Sequence, residues 1–298
     1  MQKIKKIVFQ LAKSIKTIVF FDKKMNEAII TQSFLDSALH SKESLIDESN
    51  ADLVISLTTY NKRINDVYLV IESLGRQTVK AGNIVLWLCE KEFNQASLPI
   101  LIKNQMSRGL TVHFCEDLKS YKKLIPSLKE YYDRNIITVD DDVIYPWYFV
   151  EYFQKDSLLH KDTVLCYRAH QMLKNKKGDL SSYKSWNHKV SCCDARYDIF
   201  PTGVGGVYYP AGIFDKTCID YALASQLAPY GDDIWFKTMT LINGKKSKLV
   251  GLYFNYDNDF IDISSSDDIA LSKVNLRKGR NDEQLRNICK YFDISKLI

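Results

Sequence analysis

The chain has 298 residues, 46% of them hydrophobic and 12% aromatic, which is enough to fill the core of one large α/β domain or two small ones. The net charge of +5 is unevenly spread: residues 1–24 hold seven lysines and one acid, Asp22, which leaves the rest of the chain at −1 and excludes a basic, nucleic-acid-binding body. The seven cysteines (89, 115, 166, 192, 193, 218 and 289) show neither a C-x-x-C pair nor a zinc spacing, and no run of eighteen apolar residues spans a membrane; the odd thiol count and lack of a signal peptide point to a reducing cytoplasm.

The predicted elements begin with a helix. Ile4, Ile7, Val8, Leu11, Ile15, Ile18 and Val19 recur at helical spacing, with Lys3, Lys5, Lys6, Lys13 and Lys16 outside the stripe. A basic amphipathic helix of this kind either lies on an anionic membrane surface, peripheral to the inner face of the plasma membrane, or docks on its own domain. The polar run "SKESLIDESNA" (41–51) reads as a linker, which makes residues 1–50 an extension and 51–298 the main domain. From Asp52 strands and helices alternate: "DLVISLTTY" (strand), "INDVYLVIESLGRQ" (helix), "NIVLWLCE" (strand), then "SLPILIKNQMSRG" (helix, with Ser97 as N-cap and Gly109 past its end). "LTVHFCED" (strand), "SYKKLIPSLKEYYD" (helix) and "NIITV" (strand) complete the series. This alternation predicts an α/β, Rossmann-like, mostly parallel sheet flanked by helices, with ligands bound beyond the carboxyl ends of the strands.

Polar residues gather at those ends. Thr58, Thr59, Tyr60, Asn61 and Arg63 follow the first strand, Glu90 the second, Glu116, Asp117, Lys122 and Lys123 the third, and Asp140, Asp141 and Asp142 the fourth. No G-x-G-x-x-G follows the first strand, so the dinucleotide fingerprint is missing. In an extended chain Asp140 and Asp142 share a face and Asp141 takes the other. Two carboxylates on one face suit a hard divalent cation, Mn²⁺ or Mg²⁺, that presents open positions to a diphosphate; the alternative is a solvated acidic turn. Downstream, "FPTGVGGVYYP" places Gly203, Gly205 and Gly206 either in a loop that approaches a ligand or in a tight turn into a strand. In "YGDDIWFKTMTLIN", Gly231 breaks the chain and a helix opens on Asp232 and Asp233, which either cap it or serve chemistry. His170 and Trp186 are further candidates for a cleft, and Arg277, Lys278 and Arg280 form either a lid or a solvated loop.

Taken in order, "SLTTYNKRI", "IVLWLCEKEF", "CEDLKSYKKLIP", "IITVDDDVIYP", "FPTGVGGVYYP" and "APYGDDIWF" resemble the GT-A fold glycosyltransferases of bacterial capsule, lipopolysaccharide and cell-surface polysaccharide synthesis, over residues 52 to about 290. The resemblance implies a donor-binding half (about 51–146) and an acceptor half (about 147–298), a nucleoside-diphosphate sugar donor, UDP-sugar foremost, and a glycan or lipid-linked glycan acceptor. It implies that Thr59, Tyr60 and Arg63 line the nucleotide pocket and that Glu90 lies near the base or ribose. Lys122 or Lys123 approaches the diphosphate, Asp140 contacts ribose or metal, and Asp142 ligates the metal. In inverting members a Gly-acid-Asp stretch supplies the base, here Asp233, with Asp232 holding the acceptor. The C-terminal histidine that often completes the metal shell has no counterpart after His188. Two other readings are a retaining glycosyltransferase and a non-catalytic nucleotide-sugar or polysaccharide-binding protein at the membrane. A haloacid-type phosphatase fails because Ile144 stands at the fifth position from Asp140, and a sugar nucleotidyltransferase lacks its Gly-rich, Arg-containing loop.

Overall fold

Short runs of Val, Ile and Leu form the centre of the molecule, because aliphatic and β-branched residues suit strands covered on both faces. The computed structural model describes residues 2–251, 256–263 and 279–298. Its strands are β1 (Leu53–Thr58), β2 (Asn83–Cys89), β3 (Leu110–Cys115), β4 (Asn135–Thr138), β5 (Val143–Ile144), β6 (Thr163–Cys166), β7 (Ala169–Gln171), β8 (Ile199–Pro201), β9 (Val207–Tyr209), β10 (Lys246–Leu249) and β11 (Ile261–Asp262). Seven of them build one sheet in the order β10-β6-β9-β4-β1-β2-β3. Its neighbours run parallel except at β9, which is antiparallel to both β4 and β6. The α/β class and the mostly parallel sheet expected from the sequence are both present.

The helices are α1 (Gln2–His40), α2 (Val67–Gly75), α3 (Ile100–Met106), α4 (Ile125–Glu130), α5 (Phe149–Leu159), α6 (Tyr221–Leu227), α7 (Asp232–Ile242), α8 (Tyr256–Asp259) and α9 (Arg280–Phe292). Side chains alternate across a strand, so β1 serves two cores. Leu53, Ile55 and Leu57 pack with α2 and α5 on one face. Val54 packs with Ile125 of α4, Trp235 of α7 and Ile288 of α9 on the other.

Two helix expectations change. α3 opens at Ile100, not at Ser97, because the Ser97 hydroxyl closes a turn with Asn94, donating to its carbonyl at 2.9 Å and accepting from its N–H at 3.0 Å. The helix expected over 120–133 splits into a 3-10 turn, Lys119–Lys123, and α4. Pro126 lacks the N–H that a continuous helix would bond to Lys122, so the chain breaks at Leu124.

The N-terminal helix runs further than its stripe suggests. The side chains from Ile4 to Val19 that define that stripe lie outside the described ones, but the final turns of α1 are well defined. Ala38 is buried, and Ile30, Phe34 and Leu35 pack on the same core as α2. Beneath them Glu72 is fully buried and bonded from three sides: Arg108 at 2.6 Å, Gln105 at 2.8 Å and the Ser37 hydroxyl at 2.7 Å. The run 41–51 is also seated on the domain. Leu45 is buried against Gly75, where a Cβ would stand 2.3 Å from the leucine Cδ2, and Ile46 packs on the same core. Among the described residues no helix is long and apolar enough to cross a membrane.

Removing one partner of a buried ion pair strands the other. Glu72→Ala is expected to lower stability by about 3–5 kcal/mol, measured by urea denaturation. Glu151→Ala, which breaks the exposed pair with Lys155, is expected to leave the midpoint unchanged.

Candidate functional site

The strand order reverses at β1: the chain moves outward to β2 and β3 on one side, then returns to β4 on the other. Such a reversal opens a crevice beyond the carboxyl ends, here between the segments that follow β1 and β4. These are the segments that carry Thr59–Arg63 and Asp140–Asp142.

The three acids do not alternate. β4 ends at Thr138, Val139 makes a last bond to the Ser56 carbonyl at 3.0 Å, and Asp141 and Asp142 lie in a turn. The turn swings Asp141 inward, where it is buried and accepts from the Thr59 hydroxyl at 2.5 Å and from Arg63 at 2.6 Å. The same guanidinium reaches Asp142 at 3.1 Å, so Asp141 and Asp142 share one cation while Asp140 turns to another. Burial raises the Asp141 carboxyl, and Arg63 and Thr59 oppose the rise. Burial, and then the charges of Asp140 and Asp141, push Asp142 up to about 7. Tyr60 stacks near Arg63, 5.3 Å from ring centre to guanidinium carbon.

Asp140 pairs with Lys123 at 3.0 Å. The lysine is held there through its backbone: Ser56 Oγ of β1 bonds the Lys123 carbonyl at 2.6 Å, and Ser56 and Trp87 both meet the Ser127 hydroxyl at 2.7 Å. Lys122 points elsewhere and pairs with Asp117 at 2.8 Å. Glu90, past β2, is exposed to solvent.

The second pair of acids arrives from α7. Asp232 and Asp233 occupy its first turn, where free N–H groups and the helix dipole favour negative charge. Asp232 lies 3.0 Å from the Lys123 ammonium, which therefore bridges it to Asp140. Asp233 Oδ2 accepts from the Gly203 N–H at 3.0 Å. Burial first and Asp232 second raise the Asp233 carboxyl to about 7, against the pull of Lys123 and Gly203. A Cβ on Gly203 would stand 2.7 Å from the Lys123 ammonium, 3.0 Å from Asp233 Oδ1 and 3.6 Å from Asp140 Oδ1. Bare backbone here lets the three charged groups converge.

Other candidates take lesser places. His170 is buried and accepts from the Lys189 N–H at 3.2 Å; burial, Arg168 and His188 lower it to about 4, so it is neutral near pH 7. Trp186 is a core residue, packed on Phe200 and Tyr183. Arg280 stacks over Tyr230 at 4.6 Å, whereas Arg277 and Lys278 lie outside the described residues. The sequence reading passed over Tyr145, whose hydroxyl accepts from the Asp140 N–H at 2.9 Å, and Arg168, which bonds the Thr202 hydroxyl at 3.1 Å. The rule that strand ends carry ligands could have found Arg168, two residues past β6.

No family model matches the chain, and no curated protein matches it in sequence. Solved structures with a distant likeness to it include the two that follow. The inositol-1-phosphate CTP transferase from T. maritima is 14% identical and aligns over 80% of this chain and 97% of that one, with a TM-score of 0.38. S. aureus TarS 1-349 is 14% identical and aligns over 75% of this chain and 64% of that one, with a TM-score of 0.42. At this level of similarity neither protein's chemistry carries over to this chain.

The bridging ammonium has a testable weight. Lys123→Met leaves Asp140, Asp232 and Asp233 without their shared cation and is expected to cost about 3–5 kcal/mol at pH 8. The loss shrinks towards pH 5. A carboxyl raised above its unfolded value, as Asp233 is, weighs against folding as pH climbs from that value to about 7, and removal of the lysine raises it further. Denaturation at the two pH values measures the difference.

Proposed function

We propose that this chain is a GT-A glycosyltransferase that moves a sugar, with inversion, from a nucleoside-diphosphate donor, UDP-sugar foremost, to a hydroxyl of a glycan or lipid-linked glycan. One observation carries the reading. Acids from two distant parts of the chain, Asp140–Asp142 after β4 and Asp232–Asp233 at the head of α7, face one crevice at the β1 reversal and are joined through Lys123.

A displacement at an anomeric carbon needs a base at one end and charge relief at the other. Asp233 is the base. The Gly203 N–H engages Oδ2 and fixes the carboxylate, so Oδ1 takes the proton of the attacking hydroxyl. A carboxylate raised to about 7 is basic enough to take that proton and is about half ionised at pH 7. Asp232 holds Lys123 in place and orients the acceptor. Attack from the Asp233 side, opposite the leaving diphosphate, inverts the centre.

At the donor end Thr59, Tyr60 and Arg63 form the wall of the nucleotide pocket, with Glu90 at its exposed rim. The charges of Asp140, Asp141 and, from β11, Asp262 all raise the Asp142 carboxyl, and Arg63 opposes them. The site therefore suits one further cation. Among the described residues no three His, Cys, Asp or Glu side chains group as a metal cage. Asp142 and Asp140 are the carboxylates that would hold Mg²⁺ or Mn²⁺, an ion that commonly keeps water and substrate phosphates in its shell. Bound there, the ion would supply charge neutralisation for the leaving diphosphate. The exposed Phe21, Met25 and Ile29 of α1, beside the lysines of residues 1–24, support peripheral attachment to an anionic membrane, where a lipid-linked acceptor would sit.

Asp233→Asn is expected to lower kcat by about 10²–10⁴-fold while UDP still binds, as read by calorimetry. In the wild type kcat/KM should fall about tenfold per pH unit below about pH 7, because protonated Asp233 cannot accept the hydroxyl proton. A product with retained anomeric configuration would remove Asp233 from the role of base.

A further inference from the structure

Beside the acids stands a guanidinium that they do not neutralise. Arg168 follows β6 and is half-buried. Its NH1 donates to the Thr202 hydroxyl at 3.1 Å, and its guanidinium carbon lies 5.9 Å from the Tyr256 ring centre. Among the described residues no carboxylate pairs with it. Arg63, Arg108 and Arg196 differ, since each sits on an acid at 2.6 Å. The planar fork of Arg168 matches the oxygens of phosphate or carboxylate.

Its position says which substrate it meets. The Thr202 N–H donates to the Arg168 carbonyl at 3.0 Å, and the next residue, Gly203, holds Asp233. Two consecutive residues thus tie Arg168 and the base into one unit. Tyr183, almost buried, feels the charges of both. β9 separates β6 from β4, so Arg168 stands two strands from the turn that carries Asp140–Asp142, and Tyr256 beside it senses the charges of Asp140 and Asp142 as well.

Given that Asp233 activates the acceptor hydroxyl, we propose that Arg168 binds an anionic group of the acceptor, a phosphate or a carboxylate, close to the attacked hydroxyl. The acceptor is then an acidic or phosphorylated glycan, and Arg168 selects it over neutral sugars of the same shape.

Titration of the full chain with glucose 6-phosphate, glucuronate and glucose, in the presence of UDP and Mn²⁺, tests this by NMR or calorimetry, with UDP affinity measured in parallel. The wild type is expected to prefer one of the anionic sugars to glucose. Arg168→Gln should weaken that sugar by roughly tenfold or more, Arg168→Lys by less, with glucose and UDP unchanged and the melting temperature retained. Preference for glucose 6-phosphate assigns phosphate, and preference for glucuronate assigns carboxylate. Equal binding of all three sugars, or a loss in Arg168→Gln that falls on UDP and spares the anionic sugar, overturns the proposal. If UDP fails to bind while the anionic sugar still binds through Arg168, the nucleotide-sugar reading fails and the anion site stands.

Discussion

A single buried ammonium, Lys123 between Asp140 and Asp232, is the contact on which the crevice depends. Charges removed from water are tolerated only when paired and well placed, and here five acids, Asp140–Asp142 and Asp232–Asp233, share two cations. Lys123 satisfies the acid that ends the first half of the domain and the acid that opens α7. Arg63 satisfies the two that remain at the turn. Each cation is fixed from behind by the sheet: Ser56 of β1 holds the Lys123 carbonyl, and Thr59, just past β1, shares Asp141 with Arg63. The strand at the reversal point therefore positions both cations, and through them every acid of the site.

The same economy appears at the other end of the domain. Glu72, Arg108, Gln105 and Ser37 form a polar network under the last turns of α1, in which the Glu72 carboxylate accepts from the other three. Directional bonds fix where the helix lands, which grease alone does not. Leu45, seated on Gly75, then pins the chain just before it enters β1. The extension is thus registered to the sheet at two points before the crevice begins.

Much of this was legible in the residues. Alternating aliphatic runs and helical stripes gave the four leading strands, and the rule that ligands gather at strand ends offered Arg63, the doublet Lys122 and Lys123, and Asp140 as candidates, without separating the two lysines. What escaped had physical causes. Alternation assigns Asp141 to the far face only if the strand continues, and the turn at 141–142 is set by tertiary contacts with Arg63 and Thr59. Ser97 looked like a cap because its partner Asn94 was not weighed. The central place of β9 depends on pairings more than sixty residues apart, which local pattern does not encode. Arg168 was passed over because a lone arginine in "CYRAH" has no spacing signature; its meaning comes from the acid it lacks.

The break at Leu124 has a consequence for how this region can vary. Lys122 and Lys123 form a doublet of identical chemistry, and the 3-10 turn sends one to Asp117 and the other to the centre of the crevice. Surface connections usually accept insertions and deletions more easily than the elements they join. Here the reverse holds. Losing Ser120 would leave the charge intact yet shift the turn that sends the two lysines to different partners. The segment tolerates changes of letter better than changes of length, and homologous chains that keep the crevice are constrained to keep its spacing from Ser56.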